Sequence, residues 1–209
     1  MRIPSWAPPQ QETTMNPNNV LVVGDSWSSA IESDSGQDLK GWPDILGIPQ
    51  EMRQAVAGTT AYDWATDHNG MLSKARNTPS NTVVASLLGN DPIKSMASGR
   101  LDVSSIGMAT SYMEEVLKTL RRPTTVVFLY ADPFLGNNPT TGFGVAILNV
   151  SIQVAVKYCL RGTPVLFLDA SKILTDPSHF NGTDIHPTKL GHQAIAQELT
   201  RMLQQENKA

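Results

Sequence analysis

Short apolar runs alternate with longer amphipathic segments along this chain. Candidate strands are found at residues 20–23, 53–56, 82–88, 125–130 and 165–168, and the first of them ends at Gly24. Short apolar runs bounded by turn residues are typical of strands that are buried on both faces of a sheet. The pattern therefore predicts five strands.

The segments between these runs carry apolar residues at helical spacing. In 113–120 the apolar positions recur at i, i+3, i+4 and i+7, whereas 145–160 is apolar on most sides and 189–204 has one apolar face. Strands that alternate with helices indicate a parallel sheet with helices on both faces. In such sheets the active site lies just beyond the carboxyl ends of the strands.

A serine follows the first predicted strand, in the segment Gly24-Asp25-Ser26. A hydroxyl at a tight strand-to-helix turn can act as a nucleophile if a base removes its proton. The alternative is that Ser26 only caps the following helix. Asp25 is expected to brace the turn rather than to take part in chemistry.

Two further polar positions follow the second and third predicted strands. Gly58 offers a backbone N–H to a ligand at close range, and Asn90 offers a side-chain amide. Donors of both kinds stabilise the oxyanion of acyl transfer. The alternative for both is an ordinary turn, which also favours Gly and Asn.

A histidine precedes the last predicted helix in the segment Thr183-Asp184-Ile185-His186. Its imidazole can serve as a general base at neutral pH, and Asp184 would orient the ring. The other histidines, His68, His179 and His192, are interpreted as structural or exposed.

Composition narrows the function without deciding it. The net charge of −3 provides no basic surplus, so nucleic acid is not expected as a partner. The single cysteine, Cys159, excludes an intrachain disulfide and is interpreted as a core residue. The 209 residues are enough for one domain, predicted at 20–209 after an extended tail at 1–19, onto which Trp6 would dock.

Neither a secretory leader nor a membrane span is expected. The N-terminal residues are rich in proline and lack the apolar run of a Sec signal peptide, and no 18-residue apolar stretch occurs. The expected location is therefore cytoplasmic, or outside the cell after export by a non-Sec route.

Together these residues resemble the SGNH hydrolases, the GDSL-like esterases and lipases. The family's Ser, Gly, Asn and His correspond to Ser26 in VVGDSWS, Gly58 in VAGTTAYDW, Asn90 in LLGND and His186 in DIHPTKLGHQAIA. The resemblance implies a flavodoxin-like three-layer α/β/α sandwich with a five-stranded parallel sheet in the order 2-1-3-4-5. It also implies ester hydrolysis without a metal or other cofactor.

By the same resemblance Ser26 is the nucleophile, His186 is the base, and the oxyanion hole consists of Ser26 N–H, Gly58 N–H and the Asn90 side chain. The family's aspartate stands three residues before its histidine, whereas Asp184 stands two before His186. Asp184 is predicted as the third catalytic member; otherwise a Ser-His pair would act, with a backbone carbonyl orienting the ring.

The substrate is expected to be a short-chain ester, with acetyl as the acyl group and an acetylated carbohydrate as the candidate. The aromatic residues Trp27, Tyr62 and Trp64, with Phe134 in the loop 132–142, would line its pocket, and no long apolar lid is evident. The alternatives are a lysophospholipase or thioesterase on the same fold, or an inactive carbohydrate-binding module.

Overall fold

A parallel β-sheet forms the centre of the molecule. The computed structural model describes residues 15–29, 41–92, 103–181 and 185–206. Within these ranges the sheet has four strands in the order β1-β2-β3-β4, and each neighbouring pair is parallel. The strands are β1 Val20–Gly24, β2 Thr82–Ser86, β3 Thr124–Leu129 and β4 Val165–Asp169.

The segment 53–56, predicted as a fifth strand, does not form one. Arg53 makes an isolated parallel bridge to Val22 of β1. Two backbone hydrogen bonds follow, from Gln54 N–H to the Val22 carbonyl (2.8 Å) and from Val56 N–H to the Gly24 carbonyl (2.9 Å). The chain then turns at 57–58, so the pairing stops before a regular strand develops. The described sheet therefore has four strands instead of the five expected in the order 2-1-3-4-5.

The three long helices predicted from apolar spacing are present, two of them with earlier starts than predicted. The helix predicted at 145–160 begins at Pro139, because Asn138 caps it by accepting a hydrogen bond from Thr141 N–H (3.3 Å) and Pro139 suits the first helical position.

The α-helices are α1 Trp42–Ile45, α2 Ala61–Ala65, α3 Met71–Asn77, α4 Val103–Thr119, α5 Pro139–Cys159, α6 Ala170–Ile173 and α7 Lys189–Glu206. Short 3₁₀ helices occur at Pro17–Asn19, Gln50–Met52, His68–Gly70 and Pro177–His179.

The helices cover both faces of the sheet, as the alternating pattern predicts. Helix α4 packs against α2 and α5, whereas α1 packs against α7. All five residues of β1 are buried, and so are the last five of β3, which places the apolar core between the helix layers. The predicted tail falls largely outside the described residues, as does Trp6.

Helix α5 is the most apolar long helix in the described part of the chain. By length and composition alone it could cross a membrane, although the sequence analysis expected no such span. In this fold it packs against α4 and β4 and buries Leu148 and Ile152, but only 22% of its most apolar window is buried. Its opposite face is exposed and apolar, with Phe143, Val150, Val154 and Tyr158.

Candidate active site

Ser26 and His186 meet at the carboxyl edge of the sheet. The His186 Nε2 atom lies 2.9 Å from the Ser26 Oγ atom, although 160 residues separate them in sequence. Ser26 lies in the turn just after β1 and is 7% exposed. The distance is within the range required for proton transfer from a hydroxyl to an imidazole.

The backbone on both sides of Pro187 fixes the position of His186. An antiparallel bridge joins Pro187 to Phe180. The next residue, Thr188, donates from its backbone N–H to the His179 carbonyl (2.8 Å) and from its hydroxyl to the Ser178 carbonyl (2.6 Å). These contacts hold the segment that carries His186 in place before α7 begins.

The residue predicted to orient His186 cannot be placed. Asp184 and its neighbour Thr183 lie outside the described residues. The role of Asp184 therefore stays a prediction.

Gly24 allows the Ser26 turn to pack tightly against β2. Its φ of 130° is a conformation that L side chains rarely adopt, and a Cβ atom there would lie 2.0 Å from the Ser86 carbonyl oxygen. The next residue, Asp25, donates from its backbone N–H to the same oxygen (2.7 Å). The turn is thus anchored to the end of the neighbouring strand.

The Asp25 carboxyl group joins three segments of the site. It accepts hydrogen bonds from Trp27 N–H (3.0 Å), Gly89 N–H (2.9 Å) and the Tyr130 hydroxyl (2.7 Å). Burial raises the pKa of Asp25, and these three hydrogen bonds oppose the rise. Asp25 therefore braces the turn, as expected from the sequence, and also links it to the Asn90 loop and to the end of β3.

Tyr130 is a site residue that sequence reasoning missed. Its hydroxyl donates to Asp25 and accepts a hydrogen bond from Leu88 N–H (3.1 Å). Burial and the adjacent Asp25 carboxyl raise its pKa well above the ordinary value, so the phenol stays protonated. It is the last residue of the predicted strand 125–130, so the rule that chemistry follows strand ends would have identified it.

Gly58 lies in an exposed turn that is docked to the end of β1. Its φ is 76°, in the left-handed region, which explains the glycine at this position. The adjacent Thr59 hydroxyl lies 2.8 Å from the Val56 carbonyl and 3.2 Å from the Gly24 carbonyl. This docking brings the Gly58 turn close to the segment that carries Ser26.

Asn90 is bound to the same turn. Its Nδ2 atom donates a hydrogen bond of 2.9 Å to the Thr59 carbonyl. An amide nitrogen carries two N–H groups, so this bond orients the side chain and leaves a second donor. The arrangement is compatible with the predicted oxyanion role.

Asp91 adds a second link between the two loops. Its Oδ2 atom accepts a hydrogen bond from Ala61 N–H (3.1 Å). The pKa of Asp91 is raised to about 7, mainly by burial and to a smaller extent by the carboxyl groups of Asp25 and Asp63, while the hydrogen bond from Ala61 N–H opposes the rise. A titratable carboxyl group thus lies beside Asn90, which sequence reasoning did not single out.

His192 is buried in α7, as its structural interpretation predicted. It is 7% exposed, and its Nδ1 atom has no hydrogen-bond partner within the described ranges. Burial lowers its pKa to about 4, and His186 contributes to the lowering. His192 is therefore neutral at physiological pH.

An apolar pocket opens beside the Ser26–His186 pair. Its walls include Trp27, Gly89 and Ile185, which are the sequence neighbours of Ser26, Asn90 and His186. The other walls come from Pro92, from the segment that follows β3, and from α4 and α5. Its cavity volume is about 100 Å³, and it is partly open to solvent.

The predicted aromatic residues occupy different places. Trp27 lines the pocket, with its ring edge-on to Tyr130 at 5.3 Å between ring centroids. Trp64 is fully buried in the core, because its indole N–H finds a partner in the Thr59 hydroxyl (3.1 Å). Tyr62 is 52% exposed and Phe134 is half-buried, and neither lines this pocket.

No group of three or more metal-binding side chains comes together in the described part of the chain. No protein-family model matches the chain, and no curated protein sequence matches it. Solved structures, in contrast, are similar to the chain over most of its length, although the sequence identity is low.

The similar structures include several esterases. Axe2, an acetylxylan esterase from Geobacillus stearothermophilus, has a TM-score of 0.63 and 14% identity, with 87% of this chain and 92% of that chain covered. A carbohydrate esterase of family 3 from Talaromyces cellulolyticus has a TM-score of 0.62 and 20% identity, with coverage of 90% and 97%. The chain has the fold of these esterases. LAE5, an α/β hydrolase enzyme from the metagenome of Lake Arreo, also shares it, with a TM-score of 0.62, 15% identity and coverage of 86% and 92%.

Proposed function

We propose that this chain is a serine hydrolase of the SGNH type that cleaves carboxylic esters, with Ser26 as nucleophile and His186 as general base. The 2.9 Å contact between Ser26 Oγ and His186 Nε2 is the observation that carries the proposal. A buried serine hydroxyl beside an imidazole, at the carboxyl edge of a parallel sheet, is the arrangement that nucleophilic catalysis requires.

The reaction takes two acyl-transfer steps. His186 removes the Ser26 proton while Oγ attacks the ester carbonyl, and the oxyanion is stabilised by Ser26 N–H, Gly58 N–H and the second N–H of the Asn90 amide. The C–O bond then breaks, the alcohol leaves with the proton from His186, and an acyl-enzyme remains. Water, activated by His186, hydrolyses the acyl-enzyme and releases the acid.

Structures of Axe2 support the assignment of these two residue types. Two of them are described as catalytic mutants of that esterase, one with a serine and the other with a histidine replaced by alanine. The proposal gives Ser26 and His186 the corresponding roles in a similar fold.

Replacement of the nucleophile tests the proposal directly. Ser26→Ala should abolish both hydrolysis of p-nitrophenyl acetate and labelling by a fluorophosphonate probe, because no hydroxyl remains to attack. Ser29→Ala is the matched control, since the Ser29 hydroxyl lies in the same segment and has no hydrogen-bond partner among the described residues. Turnover by Ser26→Ala at the wild-type rate would contradict the proposal.

A comparison of two variants tests which residue supports His186. In the proposed triad Asp184 orients the imidazole and stabilises the imidazolium, so Asp184→Asn should lower kcat strongly. Thr183→Ala should have little effect. The opposite result would assign the supporting role to Thr183, and small effects of both changes would favour a Ser-His pair held by a backbone carbonyl.

The proposed substrates are short-chain esters, of which acetyl esters are the smallest, and acylated carbohydrate is the proposed natural class. The acetylxylan esterase and the carbohydrate esterase among the similar structures support this class. Acetate release from a panel of acetylated glycans, measured with wild type and Ser26→Ala, is the test. No release from any glycan by an enzyme that does cleave p-nitrophenyl acetate would exclude the carbohydrate part of the proposal.

A further inference from the structure

We propose that the apolar pocket beside Ser26 binds the acyl chain of the ester and selects acyl groups longer than acetyl. The inference rests on the proposed ester hydrolysis at Ser26 and specifies the substrate of that same site. The occupant is a hydrocarbon chain that is attached to the carbonyl carbon under attack.

The pocket lies next to the residues of the proposed catalytic machinery. Trp27, Gly89 and Ile185 each follow or precede a residue of the proposed machinery by one position. Ser26 and His186 do not line the pocket themselves, so the pocket begins one residue away from their contact. A carbonyl carbon bound to Ser26 Oγ would have its substituents within a few bonds of these walls.

The walls suit a hydrocarbon and do not suit a sugar. None of the described lining residues carries a charge, and most of the surface comes from aliphatic and aromatic groups such as Ile106, Val145 and Leu148. The Tyr130 hydroxyl is already bonded to Asp25 and Leu88, so Tyr130 offers mainly its ring. Sugar hydroxyls buried here would lose hydrogen bonds to water without full replacement, whereas methylene groups would lose none.

The size of the pocket also argues against acetyl as the preferred group. A group the size of a water molecule needs about 10–15 Å³ of cavity volume, and a methyl group is of similar size. The acetyl methyl group would therefore fill a small fraction of a cavity of about 100 Å³. A chain of several methylene groups would cover more of the apolar wall and gain binding energy in proportion to the area buried.

The expectation of acetyl specificity came from the absence of a long apolar lid in the sequence. The pocket does not depend on such a lid, because part of its wall comes from the facing sides of α4 and α5, at Ile106 and Val145. Apolar spacing predicts that a helix face is buried, but it does not show whether two faces close fully against each other.

A chain-length series tests the inference. The wild-type kcat/KM is measured on p-nitrophenyl esters from acetyl through butanoyl, hexanoyl and octanoyl to dodecanoyl. Each methylene group that enters the pocket should raise kcat/KM by up to about fourfold, and the maximum should fall between butanoyl and octanoyl. A steady decrease from acetyl onward would overturn the inference.

A pocket-filling variant locates the effect. A Cβ atom added at Gly144, in the pocket wall on α5, would meet no described atom within 4 Å beyond its chain neighbours and its own helix backbone, so Gly144→Phe has room to place a larger side chain there. The ratio of octanoyl to acetyl kcat/KM should fall at least tenfold. Val150→Phe is the control, because Val150 is 60% exposed on the same helix, and it should keep the wild-type ratio. If Gly144→Phe does not fold, Val145→Phe replaces it, because Val145 lines the same wall, and the same fall in the octanoyl-to-acetyl ratio is expected.

Labelling by a fluorophosphonate probe separates this inference from the proposed function. If the wild type is not labelled at Ser26, ester hydrolysis itself is refuted. If it is labelled and prefers acetyl, or if Gly144→Phe and Val145→Phe both fold and keep the wild-type ratio, only the acyl-chain inference is refuted.

Discussion

The Tyr130 hydroxyl donates a 2.7 Å hydrogen bond to the Asp25 carboxyl group, across a gap of 105 residues in sequence. Asp25 precedes the proposed nucleophile, and Tyr130 stands at the end of β3. Because Tyr130 also accepts a hydrogen bond from Leu88 N–H, it connects the Ser26 turn with the loop that carries Asn90. The relative position of Ser26 and Asn90 therefore depends on Tyr130, which belongs to neither of the two loops.

Tyr130→Phe should leave the fold in place and reduce activity. The change leaves Leu88 N–H unpaired in the interior and removes one donor from Asp25, which costs about 1–3 kcal/mol of unfolding free energy. Looser coupling between the two loops should lower kcat by about tenfold or more, since small misplacements of reacting groups are costly. Urea unfolding and p-nitrophenyl ester kinetics measure both effects.

Tyr158→Phe is the control for this variant, because Tyr158 is 80% exposed on α5. It should change neither quantity. If Tyr130→Phe loses stability but keeps the wild-type kcat, Tyr130 supports the fold without positioning the site.

Strand ends could be located from the sequence because runs such as 82–88 and 125–130 are apolar and bounded by turn residues. These strand ends, together with the start of the last helix, predicted that Ser26, Asn90 and His186 lie at one edge of the sheet. The prediction of a strand at 53–56 was wrong. The pairing of this segment with β1 ends after two hydrogen bonds, because the chain turns at Gly58.

The contacts that connect the site could not be predicted in the same way. The Asp25–Tyr130 bond and the Asp91–Ala61 bond join residues that are distant in sequence, and their existence depends on how β1, β2 and β3 lie side by side. The apolar pocket is a gap between helix faces, and apolar spacing alone does not distinguish a gap from a closed interface.

Asn90→Ala distinguishes an oxyanion donor from a structural amide. If the second N–H of Asn90 stabilises the oxyanion, kcat should fall by about a hundredfold with little change in KM. If the amide only binds the Thr59 carbonyl, the free energy of unfolding should fall while kcat stays near the wild-type value. Asn77→Ala, at an exposed position of α3, is the control and should have neither effect.

His192→Gln should reduce the loss of stability in acid. The pKa of His192 is about 4 in the fold and near 6.5 when unfolded, so the neutral ring stabilises the fold above pH 6.5 and that contribution is lost as the pH falls toward 4. Between pH 7 and pH 5 the wild type should lose about 1–2 kcal/mol more unfolding free energy than the variant. His68→Gln, at an exposed histidine, should keep the wild-type pH dependence.

Asp91→Asn should raise stability in alkaline solution. The pKa of Asp91 rises from 3.8 to about 7 on folding, so its favourable contribution is complete below pH 3.8 and is lost as the pH rises through 7. Asparagine keeps an acceptor for Ala61 N–H but carries no charge to be buried. At pH 8 the variant should therefore melt above the wild type, by about 2–4 °C for each kcal/mol gained, and the difference should vanish toward pH 4.

Asp176→Asn should show no such gain, because hydrogen bonds from Ser178 lower the pKa of that exposed carboxyl group. An Asp91→Asn variant that melts below the wild type at pH 8 would mean that the charged carboxylate stabilises the fold through its bond to Ala61.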